Sequence, residues 1–264
     1  MLVDLHNHSF LSHDGFSKER EIINACKIKN INAIAITEHD EVCKLNPENF
    51  KKNGIELIPG IEYTTNNGAH IIGLFVTDAF EFGRSREDIV TEIKRQDGLV
   101  LMPHPWKPNS GYMDLYAEDC FIEEFDFIEL LNGGWNSSRY ISEICRISKK
   151  YSLRMISSSD SHRGCQVGLC VTSINQPSSF RIGDSKGILE SVQQKNIDLL
   201  IDRQMLVKKG RKTRKFQIGK VYQFIIPLVP RYLKRRLKFI QYRFSKDGQS
   251  SPSDFSRFIE SNND

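Results

Sequence analysis

Two pairs of side chains near the ends of the first 170 residues are spaced so that each pair could bind a metal ion. His6 and His8 are separated by one residue, and Asp160 and His162 repeat that spacing. Residues i and i+2 of an extended strand lie on the same face, so each pair can present two ligand atoms on one side. Neutral imidazole suits Zn, Mn and Fe. The spacing predicts metal-dependent chemistry, although a single His-x-His pair is more often a surface feature.

Further candidate ligands lie between these pairs, beside or within short apolar stretches. They are His39, Glu62, His70 and His104. An unpaired carboxylate among apolar residues is costly, so Glu62 is expected to have cationic partners. Its two oxygens could bridge two metal ions.

The apolar stretches alternate with helical patterns up to about residue 200. Predicted strands cover 2–5, 33–37, 55–58, 61–64, 69–76, 99–102, 127–131 and 155–158. Predicted helices cover 17–30, a segment from Ser85 to about residue 97, and 137–150. This alternation indicates a largely parallel sheet, either doubly wound or closed into a barrel.

Most of the candidate ligands come at or just after the ends of predicted strands. The carboxyl ends of the strands of a β/α barrel meet at one rim, where such enzymes place their active sites. Separate stretches of sequence that deliver ligands to one rim favour a barrel over an open sheet.

Seven motifs, in order along the chain, resemble those of the PHP (polymerase and histidinol phosphatase) family of metal-dependent phosphoesterases. They are Asp4-Leu5-His6-Asn7-His8-Ser9, Ser12-His13-Asp14-Gly15, Ile36-Thr37-Glu38-His39, Pro59-Gly60-Ile61-Glu62, His70-Ile71-Ile72-Gly73, His104-Pro105 and Ser159-Asp160-Ser161-His162. The resemblance implies a distorted (β/α)7 barrel with two to three divalent ions, Zn, Mn or Fe, in a cleft at one rim.

The resemblance also implies which side chains hold each ion. The first ion would be held by His6, His8, Glu62 and Asp160, the second by Glu62, His70 and His104, and the third by Asp14, His39 and His162. Either His13 or Asp14 could be the loop ligand. We favour Asp14, in which case His13 contacts the substrate or is exposed.

Two residues are candidates for substrate binding. Arg163 follows the last ligand, and its planar guanidinium suits a phosphate group. Asn132 comes at a predicted strand end, where its amide could bind a substrate oxygen or instead satisfy its own loop before Gly133. Lys107 and Arg139 are weaker candidates of the same kind.

The predicted reaction is hydrolysis of a phosphomonoester or nucleotide-type substrate by a metal-bound water, with no further catalytic side chain. The sequence has neither a G-x-S-x-G motif nor a Walker-type loop, which disfavours serine nucleophiles and nucleotide-driven work. The alternatives are a nuclease guided by a basic tail and a non-catalytic, metal-stabilised scaffold recruited to a membrane.

The charge distribution divides the chain into an acidic body, 1–204, and a basic tail, 205–264. Residues 203–244 hold 14 Lys and Arg and no acid, which leaves 23 basic and 33 acidic residues elsewhere. The tail is predicted to form an amphipathic helix, followed from residue 245 by a polar and disordered segment. Its basic part, 205–244, could bind an anionic membrane surface, bind nucleic acid, or pack on the acidic body.

Six cysteines without a C-x-x-C pair, and no recognisable secretory signal or apolar span, predict free thiols and a cytoplasmic protein. Through its tail the protein could also be peripheral to the inner face of the membrane.

Overall fold

Nine strands form one mixed sheet in a computed structural model of the protein, which describes residues 1–80, 85–135, 137–175, 180–191 and 197–201. The strands are β1 (Leu2–Asp4), β2 (Ala33–His39), β3 (Glu56–Thr64), β4 (His70–Leu74), β5 (Leu99–Met102), β6 (Phe127–Asn132), β7 (Arg154–Ser158), β8 (Cys170–Ile174) and β9 (Ile197–Ile201). The helices are α1 (Glu19–Lys29), α2 (Pro47–Lys51), α3 (Arg86–Arg95), α4 (Tyr112–Leu115), α5 (Ile141–Tyr151) and α6 (Ser185–Ser191).

The first eight strands curl into a nearly closed barrel, in the order β7-β6-β5-β4-β3-β2-β1-β8. The two ends of this sheet meet at Thr172. Its hydroxyl oxygen accepts from the amide of Ser157 at 2.9 Å and donates to the carbonyl of Ser157 at 3.0 Å. The barrel and the PHP-like fold class predicted from the sequence are confirmed.

Two of the barrel strands run against the others, which the seven-stranded (β/α) description does not include. β4 is antiparallel to both β3 and β5, and β8 is antiparallel to β1. The turn after β3 explains the first case, because Gly68 has φ +97°, and its amide donates to the carbonyl of Thr65 at 2.9 Å. A tight turn of this kind joins neighbouring antiparallel strands.

β3 is one continuous strand, whereas the sequence pattern predicts two strands separated at Pro59-Gly60. The proline leaves the ladder intact because its carbonyl still accepts from the amide of Phe75 at 2.7 Å. Gly60 lies where β2 and β4 approach closely. A Cβ there would be 2.9 Å from a methyl carbon of Thr37 and 3.0 Å from the carbonyl oxygen of Gly73.

The alternation of side chains along β2 builds two apolar layers. Ala33 and Ala35 face the barrel interior with residues such as Ile72 and Leu101, whereas Ile34 and Ile36 face α1 and α2. Small side chains inside and larger ones outside follow from the period of two of a strand. All of these side chains are buried.

Helix α3 begins where the sequence predicts. The Ser85 hydroxyl accepts from the amide of Asp88 at 3.1 Å, which satisfies one of the free amides of the first turn. The segment predicted as a helix over 137–150 is a short 3-10 turn, Ser138–Tyr140, followed by α5.

None of the helices in the described part of the chain is long and apolar enough to cross a membrane. The predicted basic tail, 205–264, lies outside the described residues.

Candidate metal centre

All nine candidate ligands lie at one rim of the barrel. Most of them come at or just after the carboxyl ends of parallel strands, as predicted. His70 reaches the same rim for the opposite reason, because it is the first residue of the antiparallel strand β4 and pairs with Thr64 near the end of β3. The rim therefore receives candidate ligands from the carboxyl ends of parallel strands and from the amino end of the antiparallel strand β4.

Four buried side chains converge at the centre of this rim. The Nε2 atoms of His6 and His8 face each other at 3.2 Å. Glu62 Oε2 lies 3.4 Å from His6 Nε2 and 3.2 Å from His8 Nε2. Asp160 Oδ1 lies 3.6 Å and 3.5 Å from the same two nitrogens. Two imidazoles and two carboxylates therefore point at one small volume.

The second oxygen of Glu62 faces a different pair of histidines. Glu62 Oε1 lies 2.7 Å from His70 Nδ1 and 3.1 Å from His104 Nε2. Since Oε2 faces the central group, the carboxylate spans two neighbouring groups of ligand atoms. This is the orientation that a bridging carboxylate requires.

A third group surrounds Asp14. Its Oδ2 atom lies 3.1 Å from His162 Nε2 and 3.4 Å from His39 Nε2. The ring of His8 stacks on both of these histidines, with centroid distances of 4.4 Å. His13 is exposed, and its ring lies 4.9 Å from that of His39. Of the two loop residues, Asp14 is the one that lies with the other candidate ligands.

The hydrogen bonds of three histidines leave their Nε2 atoms directed at the ligand groups. His162 Nδ1 lies 3.0 Å from the carbonyl oxygen of Asp160, which can only accept. His6 Nδ1 lies 3.0 Å from a carboxylate oxygen of Glu129, and His8 Nδ1 lies 3.3 Å from the hydroxyl of Ser12. A neutral ring that donates from Nδ1 carries its lone pair on Nε2, the form that binds a metal.

The carboxylates of the site are ionised. Burial alone would raise their pKa, but the charges that His70, His6 and His39 carry when protonated hold the pKa of Glu62 well below its usual value. The pKa of Asp160 is likewise well below its usual value, because His6 and Lys107 outweigh the effect of burial. Burial and the nearby Lys107 lower the pKa of His104 to about 4, so its ring is neutral.

These residues fit divalent metal ions. The described residues provide no hydrogen-bond partner for Asp14 Oδ1, Glu62 Oε2 and His104 Nδ1, although all three atoms are buried. Buried polar atoms are otherwise almost always paired. Imidazole nitrogens and carboxylate oxygens in groups of three or four suit Zn, Mn and Fe.

Two of the candidate ligands have strained backbones. His104 has φ +29° and Asp160 has φ +46°, in the left-handed region that residues with a Cβ rarely adopt. Hydrogen bonds hold both conformations. The amide of His104 donates to Glu129 at 2.7 Å, and the amide of Asp160 donates to the carbonyl of His6 at 2.8 Å. Strain of this kind concentrates at functional sites.

Sequence reasoning missed Glu129, which supports two candidate ligands from within β6. Besides its contact with His6, its second oxygen accepts from the amide of His104 at 2.7 Å and from Asn132 Nδ2 at 2.8 Å. Its side chain is fully buried. A glutamate in the apolar stretch Phe127-Ile128-Glu129-Leu130-Leu131 was the available signal, because a buried carboxylate needs partners.

Glu38, also missed, supports the opposite side of the site. It is buried on β2 and accepts from the hydroxyls of Ser9 and Ser12. Because the Ser12 proton goes to Glu38, the Ser12 oxygen is available to accept from His8 Nδ1. The same oxygen accepts from the amide of His39 at 3.1 Å.

The candidate substrate-binding residues lie in different environments in the structure. Asn132 is buried and holds its own loop, since its amide donates to Glu129 and its oxygen accepts from the amide of Trp135 at 2.7 Å. Arg163 is exposed, with its guanidinium 5.7 Å from the ring centroid of Phe16. Lys107 reaches the ligands themselves, with Nζ 3.4 Å from Asp160 Oδ2.

Comparisons with known proteins agree with this geometry. A family model of the PHP domain matches residues 4–168, and a model of a PHP-associated region matches residues 142–197. An uncharacterized protein of Methanocaldococcus jannaschii is 27% identical over 220 residues, which are 81% of this chain and 88% of that protein. A 5′-3′ exoribonuclease of Haemophilus influenzae is 37% identical over 76 residues, 27% of each chain.

A crystal structure from Bacteroides vulgatus shows the same fold. It is a two-domain protein that contains a predicted PHP-like metal-dependent phosphoesterase, and its TM-score with this chain is 0.57 at 22% identity. The match covers 76% of this chain and 64% of that one.

Proposed function

This chain belongs to the PHP domain family of metal-dependent phosphoesterases, and from that premise we propose that it hydrolyses a phosphomonoester or nucleotide-type substrate at a trinuclear metal site. The observation that carries the proposal is the orientation of Glu62, whose two oxygens face two different groups of histidines. A carboxylate placed in this way is suited to hold two ions side by side.

The proposed ligand sets are those that the resemblance to the PHP family implies, and short distances between their ligand atoms support them. One ion would be held by His6, His8, Glu62 and Asp160, a second by Glu62, His70 and His104, and a third by Asp14, His39 and His162. Divalent ions at such a site bind phosphate oxygens, lower the pKa of a water molecule and stabilise the leaving oxygen.

Residues around the ligands orient them. Glu129 accepts from His6 Nδ1 and from the amide of His104, so one buried carboxylate orients a ligand of each of two proposed ions. Ser12 does the same for His8 and for the backbone of His39. Such partners fix the ring orientation and the tautomer of metal-binding histidines.

Lys107 is suited to bind a phosphate oxygen of the substrate. Although burial lowers it, Asp160 and Glu62 raise the pKa of its ammonium above the usual value, so the side chain is charged. An ammonium beside Asp160 can bind a phosphate as a point charge. Arg163 stays a proposed substrate contact because it is exposed next to the ligand His162, whereas the buried amide of Asn132 is engaged in its own loop.

A nuclease is the second candidate function. The similarity to an exoribonuclease over 76 residues favours it, as does the basic segment 205–244, which could guide a nucleic-acid strand. A non-catalytic scaffold is disfavoured, since all nine candidate positions hold side chains able to bind metal.

A substrate panel tests the proposal. Small phosphomonoesters and a short oligoribonucleotide are incubated with the full chain and Mn, Zn, Fe or Mg, and phosphate or nucleotide release is measured. We expect hydrolysis that His104→Ala strongly reduces, because His104 is a proposed ligand. Cleavage of the oligonucleotide alone would favour the nuclease. Turnover of no substrate with any metal, or full activity of His104→Ala, would refute catalysis at this site.

A further inference from the structure

Three large aromatic side chains form a stack beside the metal centre. The rings of Trp106 and Tyr140 are 5.2 Å apart with an angle of 11° between their planes. The rings of Trp135 and Tyr140 are 5.7 Å apart with an angle of 22°. The guanidinium of Arg139 lies 4.6 Å from the centroid of Tyr140. We call Trp106, Trp135 and Tyr140 the aromatic platform.

The aromatic platform is attached to the metal centre on two sides. Trp106 precedes Lys107, whose Nζ is 3.4 Å from Asp160 Oδ2. Trp135 follows Gly134, where an added Cβ would come within 2.3 Å of the same carboxylate oxygen. Each tryptophan is therefore one residue from a group that contacts Asp160, a step of about 4 Å along the backbone.

The aromatic platform is not part of the apolar core. Tyr63 and Tyr112 are fully buried, whereas all three platform residues are only partly buried. Tryptophan and tyrosine offer large apolar ring faces, and partly exposed faces next to a charged site are available to a planar ligand. Two cations complement an anion near the platform: Arg139 lies over the ring of Tyr140, and Lys107 directly follows Trp106 and contacts Asp160.

We propose that the aromatic platform binds the base of a nucleobase-bearing phosphoester whose phosphate lies at the metal centre. This inference rests on the proposed function and narrows its substrate class. Every nucleobase has a flat π-face that stacks on aromatic side chains with little sequence preference. The sugar of a nucleotide would bridge from the phosphate, held near Lys107, to the base on the platform.

Tryptophan fluorescence measures this binding without turnover. The chain has two tryptophans, and both belong to the aromatic platform. The full chain with metal bound is mixed in a stopped-flow fluorimeter with adenosine 5′-monophosphate and separately with ribose 5-phosphate, which lacks the base, and quenching is read before turnover. We expect saturable quenching by the nucleotide and none by the sugar phosphate. Equal quenching by both compounds, or none by either, would overturn the proposal.

Substitutions test the same contact by selectivity. Trp106→Leu and Trp135→Leu are compared with the wild type for kcat/KM on the two compounds. Stacking of one base contributes enough for about a tenfold loss in binding when its aromatic partner is removed. At least one variant should therefore lose about tenfold of its preference for the nucleotide over the sugar phosphate. Phenylalanine at that position should restore most of the preference, because it keeps a ring face.

Tyr151→Leu is the matched control. Tyr151 ends α5, about 17 Å along the helix from Tyr140, and it too has a cation over its ring, Lys150 at 4.8 Å. Its removal should leave the preference unchanged. If both leucine variants at the platform keep the wild-type preference, the stack has only a packing role and base binding is refuted. The proposed function, hydrolysis of a phosphoester, would still stand. Quenching without hydrolysis of any phosphoester would instead refute the proposed function and leave base binding intact.

Discussion

Replacement of Glu129 by glutamine should weaken metal binding by His6. The substitution leaves the His6 ring in place but changes which of its nitrogens carries the proton. Glu129 is fully buried and uses both oxygens as acceptors. One faces His6 Nδ1 at 3.0 Å, and the other accepts from the amide of His104 and from Asn132 Nδ2. Glutamine has the same shape but only one acceptor oxygen, with an NH2 group in place of the other.

The lower-energy orientation of the glutamine follows from its neighbours. If the NH2 group faced His104 and Asn132, it would meet two N–H donors, so the oxygen should remain there. The NH2 group then faces His6 Nδ1, which can accept only if the ring proton moves to Nε2. That nitrogen points at Glu62 and Asp160, 3.4 Å and 3.6 Å away. A protonated Nε2 has no lone pair for a metal.

The expected loss is about 10- to 100-fold in metal affinity, the usual effect of removing a partner that orients a metal-binding histidine. This corresponds to about 1.4–2.8 kcal/mol. Affinity for Zn or Mn is measured by competition with a chromophoric chelator, and bound metal per chain by mass spectrometry. Hydrolysis should fall in parallel.

Glu123→Gln, an exposed substitution near the start of β6, is the control and should bind metal as the wild type does. Circular dichroism and thermal unfolding of the metal-free proteins identify any loss of folding. If Glu129→Gln is folded and binds the ions as tightly as the wild type, the assignment of the His6 tautomer is wrong.

Three other predictions have defined outcomes. Gly134→Ala should reduce activity at least tenfold, because its Cβ would lie 2.3 Å from Asp160 Oδ2. Gly187→Ala is the control, because the Cβ that it adds on α6 meets open space. It should keep activity and raise the free energy of unfolding in urea by about 1 kcal/mol. Equal activity of the two variants would contradict this reasoning. Thr172→Val should lower the free energy of unfolding in urea by about 1–3 kcal/mol, because the amide and carbonyl of Ser157 lose their hydrogen-bond partner where the barrel closes. An unchanged midpoint of urea unfolding would show that this closure is dispensable. Removal of metal with a chelator should lower the midpoint of thermal unfolding, because buried carboxylates such as Glu62 lose the cations that bind the folded state, and addition of Mn or Zn should restore it. An identical midpoint with and without metal would argue against tight binding.

Much of the fold was predictable from local patterns. The alternation of apolar stretches with helices predicted a largely parallel sheet, and the polar residues at strand ends favoured a barrel, which the structure confirms. The start of α3 at Ser85 was also predictable, because capping depends on a few neighbouring residues. The continuous strand through Pro59 was missed, since its tolerance of proline depends on Phe75 from a different part of the chain.

The candidate site was likewise predictable only in part. The nine side chains proposed as ligands could be named from their motifs, whereas the choice between His13 and Asp14 stayed open. In the structure Asp14 lies with His39 and His162, and His13 is exposed. Glu129 and Glu38 carried only the weak signal of an acid within an apolar strand. Except for Asn132, their partners come from loops far away in sequence, so their roles could not be inferred.

The chemistry of this protein is encoded in the order and types of its side chains, because metal preference depends on ligand atoms, and motif order alone identifies the PHP domain family. The positions of those atoms depend on strand direction and on long-range hydrogen bonds. His70 reaches the rim because β4 runs antiparallel, and Glu62 spans two histidine groups because strands from distant parts of the chain surround it. The aromatic platform is another product of the fold, since Trp106 follows β5, Trp135 follows β6, and both rings stack on Tyr140 when these strands are paired.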